Sequence, residues 1–201
     1  MNLPNLLSIS RVPFLFIIVI LLHLPAATGG ATLAFCCFLV GAFTDFLDGW
    51  VARKQNLVSD LGKFLDALTD KIFTLGLFIA FLSNGILPAW TLLLVLFILT
   101  REFLITGLRL VAAKKGMVLA AEKTGKLKMV FQVLSLGFLL FAQMILYDFP
   151  DLLTDVQWKW IYVYGGLGSF CLAAGLTVFS GALYLAHYGN LLLDSEAGEK
   201  A

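Results

Sequence analysis

The chain has 201 residues, 60% of them hydrophobic and only 13% charged, with a net charge of +1 and a mean hydropathy of +0.94. Soluble domains carry about 25% charged residues, so this composition excludes an ordinary soluble fold; with no basic block, it also gives no sign of a nucleic-acid partner. Cys36, Cys37 and Cys171 lie inside apolar runs without metal-ligand spacing and read as small buried hydrophobes.

Residues 1–11 (MNLPNLLSISR) mix Leu3, Leu6, Leu7 and Ile9 with polar groups and contain Pro4, which predicts a short amphipathic helix lying in the membrane interface. Six segments then meet or approach the roughly 20 apolar residues that a spanning helix needs. They run over about 12–24, 31–50, 61–82, 89–105, 127–146 and 160–186. Turn signals separate several of them, at Pro25 to Gly30, at Ser83-Asn84-Gly85 with Pro88, and at Asp148 to Asp155 with Pro150. The first apolar run is read as a retained span rather than a cleaved leader. The expected fold is all-α, a polytopic membrane bundle of six transmembrane helices behind a short amino-terminal interfacial helix. Residues 1–190 are expected to form one membrane domain, and residues 191–201 a disordered polar tail in the cytoplasm.

The signs of the charges give a topology. Arg11, Arg53, Lys54, Lys63, Lys71, Arg101, Arg109, Lys114, Lys115, Lys123, Lys126, Lys128 and Lys200 all fall on one side if the termini are cytoplasmic, and Lys159 alone falls on the other. By the positive-inside rule both termini, and any site built from the basic connections, face the cytoplasm of an inner (cell) membrane protein. Trp90, Trp158, Trp160, Tyr147, Tyr162 and Tyr164 read as an aromatic belt at the far interface. Gly165, Gly166 and Gly168, inside a span, are expected to allow close helix packing.

The informative stretch is TDFLDGWVARKQNLVSDLGKFLDALTDK, residues 44–71. One apolar helix ends in Asp45 and Asp48, and the next begins with Gly62, Asp66 and Asp70. At about 100° per residue, Asp45, Asp48, Gly49 and Ala52 share one arc, and Gly62, Asp66 and Asp70 share another. A short connection makes the two helices antiparallel neighbours, so both acidic faces meet at one end of the bundle. Ionisable groups inside membrane helices are costly and point to function. Asp45 and Asp48 alone could be end-of-helix acids, and Asp66 and Asp70 could pair with Lys63 and Lys71. Clustered carboxylates repel unless they are protonated, paired with cations or holding metal, and metal is the reading that suits all four in this register. Oxygen-only ligands indicate Mg²⁺ or Mn²⁺, and two such ions suit displacement at phosphorus. Gly49, Ala52 and Gly62 leave room for a bulky ligand near the backbone.

The pattern Asp45-x2-Asp48-Gly49-x2-Ala52-Arg53-x8-Gly62-x3-Asp66-x3-Asp70 resembles the full signature of the CDP-alcohol phosphatidyltransferases. That resemblance implies Asp45, Asp48 and Asp66 as ligands of two divalent ions, with Asp70 a metal-associated carboxylate and the general base. It implies Arg53 on the diphosphate of a CDP-lipid, and Gly49, Ala52 and Gly62 around the cytidine. The opening NLPNLLSISR, with AFTDFLDGWVAR, GKFLDALTDKI, TREFLITGLRLVAA and GKLKMVFQ, is similar to the branch that joins CDP-diacylglycerol to glycerol 3-phosphate, and adds Asn5 to the CDP-lipid contacts. Ser8 and Ala67 stand where that branch more often has Thr and Pro. A homodimer is also implied by the resemblance.

Arg101 and Arg109, eight residues apart and near one helix face, could clamp an acceptor phosphate, with Lys126 beside them. The other lysines of that region read as topological. Inositol phosphate, serine or phosphatidylglycerol are alternative acceptors for the same chemistry. A divalent-cation transporter is a reading of another class, and it predicts acids distributed across the bilayer.

Overall fold

The computed structural model describes residues 3–24, 29–55, 60–114 and 123–197, and among these there is no β-strand. The helices are α1 (Leu3–Leu22), α2 (Gly30–Gln55), α3 (Asp60–Ser83), α4 (Leu92–Lys114), α5 (Lys123–Asp148), α6 (Asp155–Trp160) and α7 (Ser169–Ala197). A single 3₁₀ turn, Ala89–Thr91, leads into α4, and a π-helical stretch, Ile161–Gly168, joins α6 to α7 without a break. The chain crosses back and forth, so the beginnings of α1, α3 and α5 and the ends of α2, α4 and α7 share one end of the bundle.

Stretches long and apolar enough to cross a membrane run over Ala89–Ala113, Gly125–Asp148 and Asp155–Tyr188 among the described residues, with shorter apolar helices at Ser8–Leu22 and Gly30–Thr44. The protein is an all-helical membrane bundle. Its outward faces carry large apolar side chains such as Phe16, Leu33, Phe97 and Phe179, each more than half exposed, as contact with lipid requires. Its core holds Ile18, Ala34, Leu77, Phe78, Ile98, Leu139, Leu140 and Phe170, all 0% exposed.

The expected interfacial helix and first span form one continuous element. Pro4 falls in the first turn of α1, where the missing N–H has no helical partner to lose. Pro13 lies inside α1 and removes one ladder bond. Burial of Leu15 and Ile18, and packing of the helix on α2 and α3, outweigh that loss. At the other terminus α7 continues through residues 191–197 of the expected disordered tail; residues 198–201 lie outside the described residues.

Small residues set the close approaches. A Cβ on Gly76 would meet Leu15 Cδ2 at 2.6 Å, so α1 lies against α3 there. A Cβ on Gly166 would meet Leu139 Cδ2 at 2.6 Å, and one on Gly165 would meet Phe138 Cδ1 at 2.9 Å, which is the close packing expected of these glycines. Ser135 on α5 donates to the Gly166 carbonyl at 3.0 Å, a second hydrogen bond to an oxygen that also accepts from Ser169 N, and so ties α5 to the π-helical stretch.

The far end of the bundle is held by polar and aromatic contacts. Asp148, closing α5, accepts from both Thr32 N and Thr32 Oγ1 at 2.6 Å, and so caps the start of α2 from another helix. Trp158 donates to the Ala142 carbonyl at 2.7 Å and stacks on Tyr162, whose hydroxyl donates to the Ile86 carbonyl at 2.8 Å. Thr154 and Gln157 form a capping box that starts α6. These contacts put the aromatic belt at the end opposite the acidic motif.

Candidate active site at the charged end of the bundle

Among the described residues α2 and α3 are not the broadly packed neighbours expected from their short connection: α1 packs against both, and the two approach each other through Gly41 and Phe73. A Cβ on Gly41 would stand 3.1 Å from Phe73 Cζ, and the Phe73 ring stacks on Phe38 at 6.2 Å between centroids. Asp45 lies one turn beyond Gly41, and Asp70 one turn before Phe73, so antiparallel running carries positions 45, 48, 66 and 70 to the same end. The backbone of α2 includes positions 45–53, but the side chains of Asp45, Asp48, Gly49, Ala52 and Arg53 lie outside the described residues, as does that of Asn5 in the first turn of α1. Gly62 is in the first turn of α3 and half-buried.

Asp66 and Asp70 are four positions apart on α3. Asp66 is 52% exposed, and its Oδ1 accepts from Arg11 Nη2 at 2.8 Å. Arg11 itself is 1% exposed, a guanidinium carried into the bundle by α1. Asp70 stands between two hollows. One is a crevice of about 100 Å³ bounded by Arg11, Phe38, Gly41, Phe73 and Leu136, and mainly apolar. The other is a cavity of about 220 Å³ in which Asp70 faces Lys71, Arg101, Arg109, Lys126 and Lys128.

The cavity's cations come from three helices. Arg101, on α4, donates from Nη2 to Ser180 Oγ on α7 at 3.1 Å and lies 3.5 Å from Glu102 Oε1. It crosses α7 at Gly181, where a Cβ would meet Arg101 Cγ at 2.7 Å. Arg109, two turns later, donates from Nε to Tyr184 Oη at 3.4 Å, with its guanidinium carbon 5.5 Å from that ring's centroid. Lys126 is exposed at the opening of α5. Lys128 is ion-paired with Glu102, and Gln132, one turn further on, is buried with its amide nitrogen unpartnered.

The structure thus gathers Asp70, Arg101, Arg109 and Lys126 around one cavity. It also adds residues that sequence reasoning passed over. Lys128 read as topological, yet it is buried against Glu102. Ser180 and Tyr184 on α7 hold the arginines of α4, Gly181 gives Arg101 room to cross, and Glu102 pairs with Lys128 of α5; no spacing rule identifies these residues because those partners lie on other helices. A buried Glu beside an Arg in an otherwise apolar span was the available signal. Among the described residues no group of three or more His, Cys, Asp or Glu side chains is close enough to hold a metal. Asp66 and Asp70 do supply oxygen donors of the kind a hard divalent cation takes, and Asp66 binds Arg11 through Oδ1 while half of its side chain stays open.

An apolar helical bundle with a cation-lined cavity and acidic positions at one end defines an integral membrane protein with a charged cavity at the end of its helices. The family model for CDP-alcohol phosphatidyltransferase matches residues 1–184, and the chain belongs to that family. It is similar to the CDP-diacylglycerol–glycerol-3-phosphate 3-phosphatidyltransferase of Bacillus subtilis, 33% identical over 198 residues and covering 89% of this chain and 94% of that protein. The protein of the same name from Salmonella choleraesuis is 30% identical over 195 residues, 96% of this chain and 98% of its own. That of Rickettsia typhi is 34% identical over 139 residues, 69% of this chain and 76% of its own.

Proposed function

We propose that the protein transfers a phosphatidyl group from CDP-diacylglycerol to sn-glycerol 3-phosphate, giving phosphatidylglycerophosphate and CMP in phospholipid biosynthesis. Family membership and the activity named for its relatives support the reaction. The observation that carries the acceptor side is that Asp70 lines one small cavity with Arg101, Arg109 and Lys126. At about 220 Å³ that cavity is below the ~300–1,000 Å³ of drug-sized sites. It suits a small phosphorylated alcohol better than phosphatidylglycerol, and its cations favour a dianion over serine.

The acceptor phosphate is held by Arg101 and Arg109, with Lys126 at the mouth. This leaves the acceptor hydroxyl beside Asp70. As its oxygen forms a bond to the lipid-bearing phosphorus, the hydroxyl proton passes to the Asp70 carboxylate. The bond from that phosphorus to the bridging oxygen breaks, and its electron pair leaves with CMP. Arg53 offsets charge on the diphosphate, while Asn5, Gly49, Ala52 and Gly62 contact the CDP-lipid. Asp45, Asp48, Asp66 and Asp70 would hold two divalent cations, Mg²⁺ or Mn²⁺, which when bound supply neutralisation of the diphosphate.

The basic residues at the cavity end support a cytoplasmic site and cytoplasmic termini in an inner-membrane protein, with the lipid tails remaining in the bilayer. A homodimer rests on family resemblance alone. An ion relay is disfavoured because the middle of the bundle is filled by Leu77, Phe78, Ile98, Leu139 and Leu140. The test is CMP release by purified protein given CDP-diacylglycerol and Mg²⁺, with glycerol 3-phosphate, inositol phosphate and serine supplied separately. Release with glycerol 3-phosphate alone is expected; release with another acceptor alone overturns the assignment.

A further inference from the structure

Arg11 is an unusual residue to find at 1% exposure near the middle of an apolar helix. A guanidinium taken out of water needs a carboxylate to offset its desolvation. Among the described residues, a carboxylate it reaches is Asp66, on α3, at 2.8 Å from Nη2 to Oδ1. Arg11 also borders the crevice that Asp70 lines. The same α1 face is pressed onto α3 where Leu15 meets Gly76, which keeps the guanidinium at the level of the two acids. A fixed cation therefore stands beside Asp66 and the crevice that Asp70 lines, on a helix that contributes no acid of its own.

We infer that Arg11 is a positioning residue which serves as the protein's internal counter-cation for the acidic cluster, pinning Asp66 and offsetting carboxylate repulsion before divalent metal binds. This rests on the metal reading of the four aspartates. Because Asp66 is engaged through Oδ1 and is half exposed, the carboxylate can hold Arg11 on one side and present its other side to the cluster. The guanidinium keeps the metal-free protein folded and at the same time moderates metal affinity, since a second cation near the site opposes the first. The amino-terminal helix is thereby coupled to the site through charge as well as packing.

The test compares wild type, Arg11→Gln and Arg11→Lys as the full chain in detergent. Thermal unfolding is measured in chelator and in saturating Mg²⁺, and Mn²⁺ affinity by electron paramagnetic resonance. Ligand binding to the folded state raises Tm by mass action. Removing the internal cation should lower the Tm of Arg11→Gln in chelator and make its Mg²⁺-induced rise at least about twofold larger than that of wild type. Its Mn²⁺ affinity should be tighter, and Arg11→Lys should fall between the two. If Arg11→Gln can be purified only in Mg²⁺, it should unfold on chelation under conditions where wild type survives. A metal-induced rise in Arg11→Gln no larger than that of wild type, or weaker Mn²⁺ binding, overturns the counter-cation role. Wild type with neither a Mg²⁺-induced shift nor Mn²⁺ binding overturns the metal reading itself, and the inference with it.

Discussion

Lys128 on α5 and Glu102 on α4 form an ion pair with side chains only 7% and 12% exposed, beside Arg101 in the wall of the cavity. A pair this buried contributes little net stability over an apolar replacement, but loss of one partner leaves an uncompensated charge. Glu102→Gln should therefore destabilise the protein by about 3 kcal/mol, the low end for buried pairs because the groups border a polar cavity. The double variant Glu102→Gln/Lys128→Met should recover most of that loss in a thermal-unfolding cycle. Additive losses would mean that the two side chains do not depend on each other.

Gly181 gives Arg101 its path across α7, since a Cβ there would stand 2.7 Å from Arg101 Cγ. That atom is close to the backbone and cannot swing aside cheaply. Gly181→Ala should displace the guanidinium and raise the KM for glycerol 3-phosphate about tenfold, or about 1.4 kcal/mol. The KM for CDP-diacylglycerol should change little. Steady-state kinetics with each substrate varied in turn decides this.

Tyr184 holds Arg109 in two ways, through a long hydrogen bond at 3.4 Å and through its ring face at 5.5 Å. The ring is the stronger hold, because a hydrogen bond of that length is weak. Tyr184→Phe should leave the acceptor KM within about twofold of wild type, whereas Tyr184→Leu, losing a cation–π contact of about 1 kcal/mol, should raise it about fivefold. Equal effects of the two substitutions would assign the hold to the hydroxyl.

At the far end, Asp148→Ala removes the acceptor of both Thr32 bonds and uncaps α2. A loss of about 1–2 kcal/mol of stability is expected. Both KM values should stay unchanged, because α2 is uncapped at the end away from the cavity. A shift in acceptor KM would show that the two ends are coupled.

The all-helical membrane bundle was legible because runs of apolar residues bounded by turn signals have few other solutions, although only three of the six expected spans are long and apolar enough to cross a membrane among the described residues. The continuity of α1 was not, since Pro4 and Pro13 break the local pattern, and what restores it is burial of Leu15 and Ile18 against other helices. Arg101, Arg109 and Lys126 were readable as a cationic group from spacing and position. Lys128 was not, because a lysine near the end of a span looks topological until a Glu on a neighbouring helix is placed against it. Arg11 is the sharper case: its partner is 55 positions away, and no periodicity on α1 alone points to Asp66. Roles for Asp45, Asp48, Gly49, Ala52 and Arg53 rest on the sequence motif, as their side chains lie outside the described residues.

On the proposed reading, the cavity binds the acceptor phosphate next to the base that activates its hydroxyl. The most direct measurement is the split between kcat and KM in Asp70→Asn and in Arg101→Ala/Arg109→Ala, with CMP release followed at varied glycerol 3-phosphate. Asp70→Asn should lower kcat by about 10²–10⁴ with the acceptor KM retained, as loss of a general base does. The double arginine variant should instead raise the acceptor KM without altering that for CDP-diacylglycerol. An unchanged glycerol 3-phosphate KM in the double variant, with activity lost, would show that the two arginines do not bind the acceptor phosphate.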